Sequence, residues 1–131
     1  MTDLAEALAP LPVLDEENVR RIIRLFAEVG APEEDLVADL LETYRGDVER
    51  RMNTFDDAVA GKRLEDATQA LHALKGASAT VGACRVVELC SQVERRLADG
   101  HDLMPGTSGL IRGEAERARQ ALRQRLQSPL R

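Results

Sequence analysis

Aromatic side chains are almost missing from this chain, which holds no tryptophan, one tyrosine and two phenylalanines in 131 residues. Ala, Leu, Glu and Arg are plentiful instead, so local propensity favours helix over the β-branched and aromatic usage of strands. No uninterrupted apolar run approaches the roughly 20 residues needed to span a bilayer. The N-terminus also lacks a basic region followed by an apolar stretch. These absences predict a soluble, cytoplasmic location without membrane insertion. Cysteine is scarce as well, with only Cys84 and Cys90. They lie six residues apart on one predicted helix and point away from each other, which excludes a disulfide between them. Cys90 is expected to pack in the core.

An excess of positive charge is lacking too, since the formal net charge is −5. A general nucleic-acid binder needs a concentrated basic surface, and the arginines here sit among acids, as in 47–51 and 94–96. A solvated, salt-bridged helix face accounts for both stretches. Several catalytic signatures are missing. Gly76 to Gly82 lacks the spacing and the Lys-Ser/Thr pair of a P-loop, and no Gly-x-Ser-x-Gly elbow occurs. The two histidines and scattered acids have no His-Glu-x-x-His or Cys-x-x-Cys spacing, and neither histidine is predicted beside Cys90. Independent enzymatic activity, a bound metal and a resident cofactor are therefore not expected.

What is present is helical periodicity. With 44% hydrophobic and 31% charged residues, the length suits a single domain over 1–131 with one core. Residues 1–14 carry Pro10 and Pro12, show no sustained period and form a lead-in whose Pro-Leu-Pro-Val-Leu-Asp run packs on the body. Asp15 is a candidate N-cap for a first helix bearing Val19, Ile22, Ile23, Phe26 and Val29, ended by Gly30 and Pro32. A second helix over 33–60 steps its apolar residues by three or four past Gly46 to a stop at Gly61, a rod of roughly 40 Å. A third covers 64–81 and closes at Gly82; a fourth covers 84–98 and ends at Gly100. After the loop from His101 to Gly109, Ile111, Ala115, Ala118 and Leu122 mark a fifth. Short connections make neighbours antiparallel. The predicted fold is all-α, an up-and-down antiparallel four-helix bundle with an additional N- or C-terminal accessory helix.

His72 stands out on the third helix. Winding at about 100° per residue places Ala67, Ala70, Leu71, Leu74, Ala77 and Val81 in one arc and His72 opposite it, facing water. An exposed histidine by itself is most often an idle surface residue. Its neighbours argue otherwise. Lys75 at i+3 can reach an anion carried by the imidazole, and Gly76 at i+4, with Ala73, Ala79 and Thr80, strips the surroundings of bulk. A glycine in mid-helix costs about 1 kcal/mol relative to alanine, so it calls for a reason. On the exposed side of the helix, that reason is access for a partner rather than packing.

The run His72-Ala73-Leu74-Lys75-Gly76-Ala77-Ser78-Ala79-Thr80-Val81-Gly82-Ala83 resembles the signature of histidine-containing phosphotransfer (HPt) domains. The resemblance is specific over that dozen residues and weaker over the rest of Pro12 to Gln127. It implies a monomeric helical carrier in multistep phosphorelays, with the 62–100 hairpin bearing the site. By the same resemblance His72 is the phosphoacceptor, Lys75 stabilises phosphoryl charge and Gly76 gives the partner room. A Gln or Glu twenty-two positions after the histidine hydrogen-bonds the unphosphorylated ring nitrogen in that family, and here the position is Glu94. The helical wheel supports Glu94, at the edge of its stripe beside Cys90 and Val93, over Gln92, which points nearly opposite. A rim carboxylate paired with Arg95 or Arg96 is the plain alternative for it.

A carboxylate accepting the Nδ1 proton would fix the tautomer and leave Nε2 free to attack phosphorus. The expected partner is a receiver domain of a response regulator or a hybrid sensor histidine kinase, which brings its own Mg²⁺ and aspartate. The competing reading is an HPt-like module that docks such a partner without carrying phosphate. His101 reads as an ordinary exposed loop residue. Free-standing domains and domains attached to a hybrid kinase both occur in the family that the run resembles.

Overall fold

The computed structural model describes residues 4–30 and 32–127, which form six helices: α1 (Leu4–Leu8), α2 (Glu16–Glu28), α3 (Glu33–Ala60), α4 (Leu64–Val81), α5 (Cys84–Ala98) and α6 (Thr107–Gln127). No strand occurs among the described residues. Packing runs in a ring, with α3 on α4, α4 on α5, α5 on α6 and α6 back on α3. That is the up-and-down four-helix bundle expected from the short links. The apolar stripes of all four helices meet inside it around Met52, Phe55, Leu71, Leu74, Leu89, Val93, Ile111 and Leu122, each 2% exposed or less.

Two helices, not one, lie outside the bundle. The lead-in contains α1, whose Leu4 and Leu8 are buried against the body, and α1 packs on α5. Five residues are too few to reveal a helical period, which is why the segment reads as irregular in sequence. As anticipated, Leu11, Val13 and Leu14 pack on the core. At 28 residues α3 is about 42 Å long against about 27 Å for the 18 residues of α4. α2 packs against α3, α4 and α6.

The ends of the helices follow their chemistry. The Asp15 side chain accepts from the Glu17 N–H at 3.1 Å, confirming it as the α2 N-cap, and Glu16 and Glu17 in the first turn suit the positive end of the helix dipole. α3 stops at Gly61 as expected, but Gly61 itself stays at φ −86°, and Lys62 takes the left-handed conformation at φ 57°. Gly46 does not interrupt α3. α6 begins at Thr107, before the end of the anticipated loop, and the Thr107 hydroxyl donates to the Met104 carbonyl at 2.6 Å.

Candidate functional site

The turn between α4 and α5 sets the register of the site. The Gly82 N–H donates to the Ala79 carbonyl at 3.2 Å and the Ala83 N–H to the Ser78 carbonyl at 2.8 Å, the paired bonds of a Schellman ending. Gly82 holds φ 78°, and a Cβ there would come within 3.2–3.3 Å of Asn18 and the Asp15 carbonyl. Glycine is required on both counts. α2 tightens this end of α4: the Asn18 side-chain amide donates to the Ala79 and Thr80 carbonyls at 3.1 and 2.7 Å, and the Asp15 N–H donates to the Gly82 carbonyl at 2.8 Å. The Thr80 carbonyl, which the helix end leaves over, is thus satisfied by a neighbouring helix.

His72 precedes Gly82 by 10 residues and Glu94 follows Ala83 by 11. With equal rise in both helices, the backbones of His72 and Glu94 stand within about 2 Å of the same level. His72 is exposed, as are Gly76, Ala79 and Thr80, while Ala73 and Lys75 are half-buried. The Thr80 hydroxyl donates to the Gly76 carbonyl at 3.1 Å, so it turns back on its own helix. A Cβ added at Gly76 meets nothing within 4 Å. Packing among the described residues therefore gives no reason for glycine at that position.

The imidazole of His72 makes no hydrogen bond or ion pair among the described residues. Glu94, expected on that ring, faces another partner: its Oε1 lies 3.5 Å from Lys75 Nζ. The same ammonium is 3.5 Å from Ser91 Oγ. The arginines considered for Glu94 are engaged elsewhere, Arg95 with Glu88 and Arg96 with the Asp102 carbonyl. Gln92 donates to Glu88 at 2.8 Å and stays out of the site.

Cys90 is buried as expected, and burial, reinforced by the nearby Glu94 charge and opposed by Lys75, pushes its thiol up to about 12. It is an inert core thiol. Cys84 is likewise free and donates to the Pro12 carbonyl at 3.1 Å. The core stripe of α4 differs in two places: Leu64, expected on that side, is exposed, and Ala77 is only half-buried while Ser78 is fully buried, its hydroxyl bonded to Tyr44 OH at 2.9 Å. Burial raises the Tyr44 phenol to about 12.

Ser91, Ser78 and Asn18 are the positions that sequence reasoning passed over. Ser91 had one usable signal, its place one turn before Glu94 on the same side of α5. Asn18 had none, because it serves a helix 61 residues away.

His72 is exposed on the surface of α4. The groove between α3 and α6 is lined by Arg45, Arg112 and Arg119. Each of these is already paired, with Glu42 and Glu49, with Asp56, and with Glu116. An unbonded imidazole on an open helix face, with an ammonium one turn on, can take an electrophilic group on nitrogen and meet its negative charge. An exposed site of this kind suits delivery by another macromolecule better than capture of a small molecule.

A family model described as Hpt domain matches residues 39–128, more than half of the chain. No curated protein and no solved structure matches it. No helix among the described residues is long and apolar enough to cross a membrane.

Proposed function

The chain belongs to the Hpt-domain family of histidine phosphotransfer in phosphorelays, and we propose that it is a monomeric cytoplasmic carrier, one domain over 1–131, with His72 as the phosphoacceptor. Hpt domains are carriers rather than enzymes in the usual sense, and the family works with receiver domains. The observation that carries the assignment to His72 is its free imidazole, exposed on α4 with Lys75 at i+3 and open space over Gly76.

In this reading a phosphorylated receiver docks over His72, Ala73, Gly76, Ala79 and Thr80 and aligns its aspartyl phosphate with Nε2. The lone pair of Nε2 forms the N–P bond while the P–O bond to the aspartate breaks, and the electron pair leaves on the carboxylate. Lys75 offsets charge on the phosphoryl oxygens. Glu94 acts on Nδ1, which requires that it leave Lys75. Mg²⁺ belongs to the receiver, and this chain supplies position and charge, the main needs of phosphoryl transfer. The reverse sequence passes the group to a second receiver.

The test is incubation with a panel of phosphorylated receiver domains, with His72→Gln as control and acid-labile phosphate mapped by mass spectrometry. Label on His72, absent from the variant and from His101, is expected. Equal binding of a receiver to both proteins without transfer from any member of a complete panel would replace the carrier by a docking module.

A further inference from the structure

Lys75 is not free to meet an anion in the resting protein, because its ammonium lies between Glu94 Oε1 and Ser91 Oγ, 3.5 Å from each. Both distances are long for a hydrogen bond to a charged group. Glu94 Oε1 is shut off from water, yet it accepts no hydrogen bond from the described residues. A carboxylate oxygen has room for more than one distant ammonium. With side chains 28% and 21% exposed, the pair is shielded from the screening that weakens surface ion pairs. The hold is thus electrostatic and loose, and it can yield to better-placed partners.

We propose that the Lys75–Glu94 pair is the resting half of a partner exchange: when His72 is phosphorylated, Lys75 turns to the phosphoryl oxygens and Glu94 accepts the ring N–H on Nδ1. The inference rests on the carrier reading and adds an order of events and a second holder for Lys75, Ser91. The charges balance. Attack by Nε2 leaves the proton on Nδ1, so the ring becomes an imidazolium and the phosphoryl group on it a dianion. A lysine cation and a glutamate anion then face a new cation and a new anion. Exchange gives each its opposite, and it fills the vacant acceptor position of Glu94. The geometry allows it, since Lys75 is one turn from His72 and the Glu94 backbone is level with His72 while its carboxylate reaches Lys75. In the resting state the same pair keeps the ammonium occupied when no phosphoryl group is present.

The deciding measurement is the carboxyl ¹³C signal of Glu94, in protein labelled with [¹³C]glutamate and assigned with Glu94→Gln. Wild type and Lys75→Met are compared before and after phosphorylation with phosphoramidate, a small donor that needs no docking. Lys75→Met is expected to move the Glu94 signal in the unphosphorylated protein and leave it at the wild-type position in the phosphorylated one. Phosphohistidine should hydrolyse about fivefold faster in Lys75→Met, and Lys75→Arg should restore most of its lifetime. A shift of equal size in both states means a static pair, and a shift in neither means no resting pair. Either overturns the exchange while the carrier role stands. Phosphoramidate labelling of His101 without His72 would remove the acceptor assignment and the exchange with it.

Discussion

Gly76 separates the demands of the fold from those of docking, because the two pull in opposite directions there. Within the chain, a Cβ at Gly76 meets nothing within 4 Å, so Gly76→Ala introduces no clash. It removes the helix-interior penalty of glycine, worth about 0.8–1 kcal/mol. For a domain of this size that raises Tm by about 3–6 °C. Gly76→Leu also places a good helix former in open space and should leave the free protein folded. In the docked complex the added side chain stands one turn from the imidazole, where the receiver backbone must approach. Forcing extra methylenes into such a contact costs about 1–3 kcal/mol, equivalent to about a fivefold to 150-fold loss in transfer. The assay runs three readouts on wild type, Gly76→Ala and Gly76→Leu: thermal melting, labelling of His72 by phosphoramidate, and transfer from a phosphorylated receiver. Melting should improve in Gly76→Ala, phosphoramidate labelling should be unchanged, and receiver transfer should fall, most in Gly76→Leu. Receiver transfer as fast in Gly76→Leu as in wild type would refute the docking role, and a lowered Tm in Gly76→Ala would refute the open-space reasoning.

Gly82→Ala places a side chain at φ 78° and within 3.2–3.3 Å of Asn18 and Asp15; a loss of about 2 kcal/mol is expected in urea unfolding, and an unchanged midpoint would contradict the required glycine. Asn18→Leu removes both amide bonds to the Ala79 and Thr80 carbonyls, with an expected cost of about 1–3 kcal/mol, and hydrogen exchange should show faster opening at the end of α4 than at its start. Tyr44→Phe leaves the buried Ser78 hydroxyl without its 2.9 Å partner; it should cost about 1–2 kcal/mol, with part recovered in Tyr44→Phe/Ser78→Ala, and strict additivity would count against the bond. Burial raises the Cys90 thiol from 9.0 and the Tyr44 phenol from 10.0, each to about 12. The folded state therefore binds these protons more tightly than the unfolded one, and the associated stability is whole below about pH 9 and lost as pH climbs from about 9 to about 12. Urea midpoints across that window should fall, less steeply in Cys90→Val, and an identical slope in that variant would refute the assignment to the thiol.

Periodicity exposes what is repeated and hides what is paired. The long stripes of α3 to α6 repeat every three or four residues, so the helices, the ring of neighbours and the outward direction of His72 were all legible. α1 was not, because Leu4–Leu8 is scarcely more than one turn. The stripe of α4 was legible to the nearest residue or two, and failed where Tyr44 supplies a partner that lets Ser78 take a buried place. At the site, spacing marked out Lys75 and Glu94 but not their relation. Their approach depends on the α4–α5 turn and on how far each side chain reaches, and no count along one helix contains that. Ser91 shared a face with Glu94 in the sequence, but its approach to Lys75 appears only when α5 is laid against α4.

The family match begins at residue 39, so α1 and α2 lie before it. Yet the part of the chain that carries the family signature leans on them. The carbonyls of Ala79 and Thr80, two turns beyond His72, are satisfied by Asn18 of α2. Arg85, in the first turn of α5, donates to the Leu11 carbonyl at 3.0 Å and pairs with the buried Glu114 of α6 at 3.4 Å. These contacts grip both sides of the turn from which Lys75 and Glu94 are counted. A rise of about 1.5 Å per residue means that slippage by a single residue at Gly82 would alter the level of one helix against the other by a sizeable part of the 3.5 Å Lys75–Glu94 separation. Positioning at the site is therefore set about ten residues away, by segments that carry no signature and touch none of the reacting atoms.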